Sequence, residues 1–138
     1  MTDAAIKEKI LNDTVFIGLR SAIGIIFIVH GMSKFGEGFG GFLSSMGIPA
    51  ELQIPIALAE LIPGILLIIG ILSRLSSALL AIIMLGAIFV VKGAASLTGD
   101  GGVEFDLILL ASALVIMIVG PGRISLAQAV KKIPRCLH

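Results

Sequence analysis

Apolar residues in this chain gather into four long runs, at about residues 14–33, 54–72, 75–91 and 103–119, with polar residues and glycines between them. At 1.5 Å per residue, a run of ~17 residues makes ~26 Å of helix, enough to cross a ~30 Å hydrocarbon core with slight thinning or snorkelling. Each run is therefore read as a membrane span. Residues 73–75 leave a very short turn between the second and third spans, which makes those two antiparallel neighbours. Pro55 falls in the first turn of the second span, where its missing N–H is harmless, and Gly120-Pro121-Gly122 stops the fourth. The pattern predicts an all-α integral membrane protein, an antiparallel bundle of four transmembrane helices.

Residues 1–13 form a polar to amphipathic lead-in, with Ile6, Ile10 and Leu11 on roughly one face. The longest connection, 34–53, opens with Gly36, Gly38, Gly40 and Gly41 yet carries Phe35, Phe39, Phe42, Leu43 and Met46 at spacings of three to four. That spacing predicts a broken amphipathic segment lying as a lid over the bundle mouth. Residues 123–138 form a basic tail. Lys7, Lys9, Arg74, Arg123, Lys131, Lys132 and Arg135 fall on one side of the predicted topology, and only Lys34 and Lys92 on the other. By the positive-inside rule both termini are expected in the cytoplasm, with the chain multi-pass in the cell membrane.

Composition agrees. The chain's 138 residues are one domain's worth, 57% hydrophobic and 14% charged, against ~25% charged in soluble domains. A net charge of +1, without a basic stripe interleaved with aromatics, gives no reason to expect nucleic acid. Tyrosine and tryptophan are absent, so the usual interfacial aromatic belt is missing. Cys136 is the single cysteine, which excludes an intrachain disulfide and a CxxC redox pair. The first apolar run lacks a well-placed cleavage site and is read as retained.

Against this background the ionisable residues inside the spans carry the chemistry. Glu60 lies within the second span, where a carboxylate is costly unless it faces a partner, a cavity or a ligand. Pro63, one turn on, removes a backbone donor from the carbonyl of Ala59 and is expected to bend the helix there. His30 and Lys34 are one turn apart on one face of the first span, at a depth similar to Glu60. Burial disfavours the charged form of Glu60 unless His30 or Lys34 approaches closely enough to reverse the effect. A Glu60–His30 contact would let the pair hand a proton to a bound acceptor, making both candidate catalytic residues. Lys34, its neighbour Phe35, Arg20, and Glu104 at the start of the fourth span are candidate ligand-binding residues. Lys92 and Asp106 are expected to snorkel. Arg20 lies ~15 Å below His30, with no acid at its depth in the other spans, and is expected to anchor to or contact lipid. No metal-ligand cluster, dinucleotide fingerprint or nucleophile–histidine–acid context is present, and metal binding is not expected.

An ordered set of short motifs covers roughly residues 15–125. It comprises Arg20, then His30-Gly31-x-x-Lys34-Phe35, Met46-Gly47-Ile48-Pro49, and Glu60 before Pro63-Gly64 and Leu67. Gly70-x-x-x-Arg74, Met84 with Ala87, Glu104, and Gly120-Pro121-Gly122-Arg123-x-Ser125-Leu126 follow. In this set the chain resembles the DoxX family of small four-span membrane proteins, which is similar to the larger subunit of a membrane thiosulfate:quinone oxidoreductase. The resemblance implies Arg20, His30, Lys34, Glu60 and Glu104 as the characteristic polar residues, and a redox or sulfur-metabolism partner. Together with the residues, it points to a module that binds a lipid-soluble ligand, a quinone or lipid, in the outer half of the bundle. Electrons or sulfur species would come from a soluble or membrane partner, because the chain carries no redox centre of its own. The alternatives are a small-solute or proton transporter working as a homo-oligomer, and a structural or assembly protein without catalysis.

Overall fold

A computed structural model describes residues 10–130, 134, 136 and 137. The expected amphipathic lead-in falls largely outside these residues, as do Lys7, Lys9, Lys131, Lys132 and Arg135 of the basic count. The described residues form helices α1 (Ile10–Ser33), α2 (Glu37–Ser45), α3 (Gln53–Ile69), α4 (Ser73–Gly86) and α5 (Glu104–Val119). A 3-10 turn, Ala50–Leu52, leads into α3, and α4 continues as a π-helical turn, Ala87–Val91. No strand occurs among the described residues. Three helices are long and apolar enough to cross a membrane: α1, α3 with its leading turn, and α4 with its π turn. The fourth long helix, α5, has 16 residues.

Local chemistry sets the boundaries. Gly70 adopts a left-handed conformation (φ +74°) after Ile69, and the N–H groups of Gly70 and Ile71 both bond the Leu66 carbonyl, at 2.9 and 3.0 Å. This is a glycine C-cap, so the second run ends at Ile69 rather than Leu72. Ser73 and Arg74, expected in the turn, are instead the first residues of α4. Pro63 does not break α3, which remains helical through it.

Lipid chains are as apolar as leucine, so close packing and hydrogen bonds must hold such helices together. The tightest contact is between α1 and α3. A Cβ on Gly24 would lie 2.6 Å from the Gly64 carbonyl oxygen, and one on Gly64 would lie 2.9 Å from the Gly24 oxygen. A Cβ on Gly31 would lie 2.9 Å from both the Ala57 oxygen and the Leu61 nitrogen. Rising numbers on α1 thus meet falling numbers on α3, so the two run antiparallel with touching backbones. Gly18 and Ala22, also small residues of α1, face outward, and nothing lies within 4 Å of a Cβ on Gly18. The α4–α5 pair is antiparallel as well, with Arg74 beside Gly120 at one end and Lys92 beside Asp106 at the other.

All four long helices share one core, built on Ile23 and Phe27 of α1, Leu67 of α3, Leu80 and Met84 of α4, and Leu109 and Ile116 of α5. Their outer faces expose Ile25, Ile62, Ile82, Ile108 and Ile118. A continuous apolar exterior of this kind suits lipid rather than water.

Candidate functional site

Charged groups collect at the two ends of the helix assembly and leave its middle apolar. At one end α1 stops at Ser33, and a turn carries Lys34 back over the end of α3. Its Nζ lies 2.7 Å from Oε2 of Glu60. Glu60 sits on the buried stripe of α3 with Ala57, Pro63, Gly64 and Leu67, and is 3% exposed. The cation that compensates this carboxylate is therefore Lys34. No hydrogen bond joins His30 to Glu60 among the described residues.

The turn that presents Lys34 is clamped from α3. The Gln53 side-chain amide donates to the carbonyls of Lys34 and Gly36, at 2.9 and 2.8 Å. Gly40 of α2 packs on the same amide, where a Cβ would come within 2.9 Å of Gln53 Oε1. The segment expected to lie as a lid contains a nine-residue helix, α2, that turns Gly40 and Leu43 inward. Phe39 of α2 supplies the aromatic face for Lys34, with the ammonium 5.5 Å from the ring centroid. It also stacks on Phe42. Phe35, the aromatic neighbour favoured from the sequence, is exposed.

A second pair closes the same end. Lys92 Nζ lies 2.5 Å from Oδ2 of Asp106 and donates to the Gly102 carbonyl at 2.9 Å. The π turn before Lys92, with the Lys92 N–H bonded to the Ala87 carbonyl at 3.0 Å, widens the helix and resets the direction in which Lys92 leaves it. The snorkelling expected of Lys92 and Asp106 gives way to an ion pair, and Asp106 is buried. Glu104 lies off the buried stripe of α5 and is exposed. His30 is half-buried, with its ring edge-on to Phe105 at 5.9 Å. Each of the four long helical segments or its end thus contributes one charged partner here: Lys34 after α1, Glu60 in α3, Lys92 after α4 and Asp106 in α5.

Between α3 and α4 runs an apolar groove of about 270 Å³, lined by Leu58, Ala59, Ile62 and Pro63 on one side and Leu75 and Leu79 on the other. Pro63 has no N–H for the Ala59 carbonyl, so the groove contains a backbone acceptor that lacks its usual helical donor. Consecutive residues of a helix are ~100° apart, so this groove and the Glu60 carboxylate occupy adjacent faces of α3.

The opposite end is basic. Arg20 is 2% exposed, which corrects the expectation of a lipid-facing anchor. Its guanidinium donates to the carbonyls of Pro121 and Ile124, the latter at 3.1 Å. Asp13 pairs with Arg123 at 3.4 Å. Arg20 and Asp13 therefore both bind the segment that follows α5. Nothing in the pattern of residues singles out Gln53, Phe39 or Asp13 as site residues. Gln53 and Phe39 act through a loop whose path was unknown, and Asp13 lay in the predicted lead-in.

Comparison with known proteins places the sequence in a family. The DoxX family model matches residues 15–93. A Bacillus subtilis (strain 168) protein named "Putative oxidoreductase CatD" is 39% identical over 115 residues, covering 80% of this chain and 84% of that protein. A Mycobacterium tuberculosis (strain ATCC 25618 / H37Rv) protein, "Uncharacterized membrane protein Rv3486", is 30% identical over 132 residues, 84% of this chain and 81% of that protein. No solved structure gives a significant match. With its apolar helices and with Arg20, His30, Lys34 and Glu60 all within the matched region, the chain is a membrane protein and belongs to the DoxX family.

Proposed function

We propose that this protein is a four-span subunit of the cell membrane that binds a lipid-soluble ligand of the quinone class at its Lys34–Glu60 end and works with a redox partner. The observation that carries this reading is the Glu60 carboxylate, 3% exposed in an apolar assembly and held by Lys34 at 2.7 Å. A charge kept there at such desolvation cost has a use beyond stability, where an apolar pair would serve as well. Lys34 can donate to a carbonyl oxygen, and Glu60 can supply or take up the proton that accompanies an electron. His30 adds a second titratable group at the same end, its ring steadied by Phe105. Helix α2, with Phe39, covers the pair, and the α3–α4 groove offers apolar volume on the neighbouring face. A quinone would bring the redox chemistry, and electrons would come from the partner. The oxidoreductase designation of the B. subtilis relative supports the same class.

Purified protein is expected to carry quinone in its lipid extract and to bind added quinone saturably. Glu60→Gln should keep most of that binding while lowering turnover with the partner, because it preserves shape and removes the proton; His30→Ala should weaken both. An extract without quinone, together with no saturable binding, overturns the proposal.

In this reading α5 is the fourth span and both termini are cytoplasmic. The basic end with Arg20, Arg74 and Arg123 faces inward, and the Lys34 and Lys92 end faces out. Ser96 is exposed in the connection between α4 and α5, and Cys136 is exposed in the tail. In intact cells an impermeant maleimide should label a Ser96→Cys variant and spare Cys136. The reverse pattern inverts the topology.

A further inference from the structure

We propose that the basic end holds an oxyanion, a phosphate group either free or on a lipid headgroup, among Arg20, Arg74, Ser73 and Ser77. Four buried polar atoms there have no hydrogen-bond partner: Nε of Arg20, Nε of Arg74, and the hydroxyls of Ser73 and Ser77. Both serines are 0% exposed and lie one turn apart on the inward face of α4. Buried hydroxyls in helices normally bond back to the carbonyl four residues earlier. Helical hydroxyls nearer the surface of this protein do so, Thr14 to Ile10, Ser44 to Gly40 and Ser112 to Ile108. The Ser77 hydroxyl makes no such bond to the Ser73 carbonyl and is left without a partner.

Charge points the same way. The Nη groups of Arg20 are taken by neutral carbonyls, and Arg74 has no ion pair among the described residues. The acid nearest in sequence to Arg20 on α1, Asp13, is paired with Arg123. Two guanidiniums therefore flank consecutive residues, Gly120 against Arg74 and Pro121 against Arg20, without a compensating carboxylate among the described residues. Water can satisfy the hydroxyls but cannot neutralise this charge, and an anion does both. The first turn of α4, a 14-residue helix, opens at Ser73 with no side-chain cap, so its N–H groups and dipole favour an anion at that point. Gly70 belongs to the same arrangement, because a Cβ there would come within 2.7 Å of Arg20 Nη1.

The test uses the full chain in a neutral detergent. Thermal unfolding is followed in chloride, then in sodium phosphate at matched ionic strength, and separately with phosphatidylglycerol against diacylglycerol, which lacks the phosphate. Phosphate or phosphatidylglycerol is expected to raise the midpoint. Stabilisation by phosphate without lipid identifies a free ion as the occupant, and stabilisation by phosphatidylglycerol alone identifies a headgroup. The Ser73→Ala/Ser77→Ala double variant separates the proposal from an empty pocket. Removing two orphan hydroxyls from an empty site leaves stability unchanged or raises it, whereas removing two donors to an anion should weaken half-saturation ~tenfold or more. The proposal is overturned if neither probe moves the wild-type midpoint beyond its control, or if both move the double variant as far as the wild type.

Discussion

Lys34→Met is expected to destabilise the protein by ~3–5 kcal/mol, the cost of stranding one member of a buried ion pair. In a chain of this size that lowers the thermal midpoint by ~10 °C or more. The stranded group is Glu60, whose side chain is 4% exposed against 20% for Lys34, so the acid bears most of the desolvation. Removing the acid as well, in Lys34→Met/Glu60→Gln, should recover more than half of the loss. A buried pair contributes little net stability over neutral groups of the same shape, and the harm lies in leaving it half-made. Glu60→Gln alone should cost less than Lys34→Met, because the ammonium left behind is partly exposed and still has the Phe39 ring beneath it. Thermal unfolding of the three variants in one detergent checks the order. Equal losses in Lys34→Met and the double variant would mean that Lys34 acts through packing and not through Glu60.

Much of this arrangement is legible in the sequence, and the exceptions have physical reasons. Asp13, Arg20 and Phe27, each seven residues apart along α1, lie on the inward side, a period that marks a helix face. Among the small residues of α1, Gly18 and Ala22 lie off that face, whereas Gly24 and Gly31, seven apart beside the stripe, make the contact. The same phase distinguishes the two acids of α5, since Asp106 continues into Leu109, Ala113 and Ile116 and Glu104 does not. Lys34 reaches Glu60 where His30 does not, because it sits past the end of α1 on a turn held by Gln53. That depends on the path of the loop and on a hydrogen bond between residues far apart in sequence. The π turn at Ala87–Val91 is invisible in an uninterrupted apolar run with no proline. Backbone acceptors leave no sequence signature either, so an arginine with no acid at its depth reads as an anchor until Pro121 and Ile124 are seen beside it.

Arg20→Met is accordingly expected to act on the segment after α5 rather than on the core. Methionine keeps much of the apolar stem but loses two charge-assisted hydrogen bonds at ~1.5–3 kcal/mol each, so the total loss is ~3–6 kcal/mol where the freed carbonyls find no water. Those carbonyls belong to Pro121 and Ile124, just beyond Gly120, whose backbone (φ 89°, ψ −163°) only glycine adopts readily. Other ties of this stretch to α1 and α3 include the Asp13–Arg123 pair, the Ala127 N–H bond to the Gly70 carbonyl at 3.2 Å, and the packing of Gly122 near Phe16 and of Ser125 on Gly70, but none of these satisfies the Pro121 and Ile124 carbonyls. The Ala127 amide should then exchange with solvent much faster, while amides near the Gly24–Gly64 contact keep their protection. Arg20→Lys should rescue only part of this, because one ammonium cannot reproduce the planar fork that spans two carbonyls three residues apart. Hydrogen exchange read by mass spectrometry distinguishes the outcomes. Unchanged exchange at Ala127 in Arg20→Met would show that the segment is held by its own turns, and uniform loss of protection would place Arg20 in the core instead of at its seam with the segment.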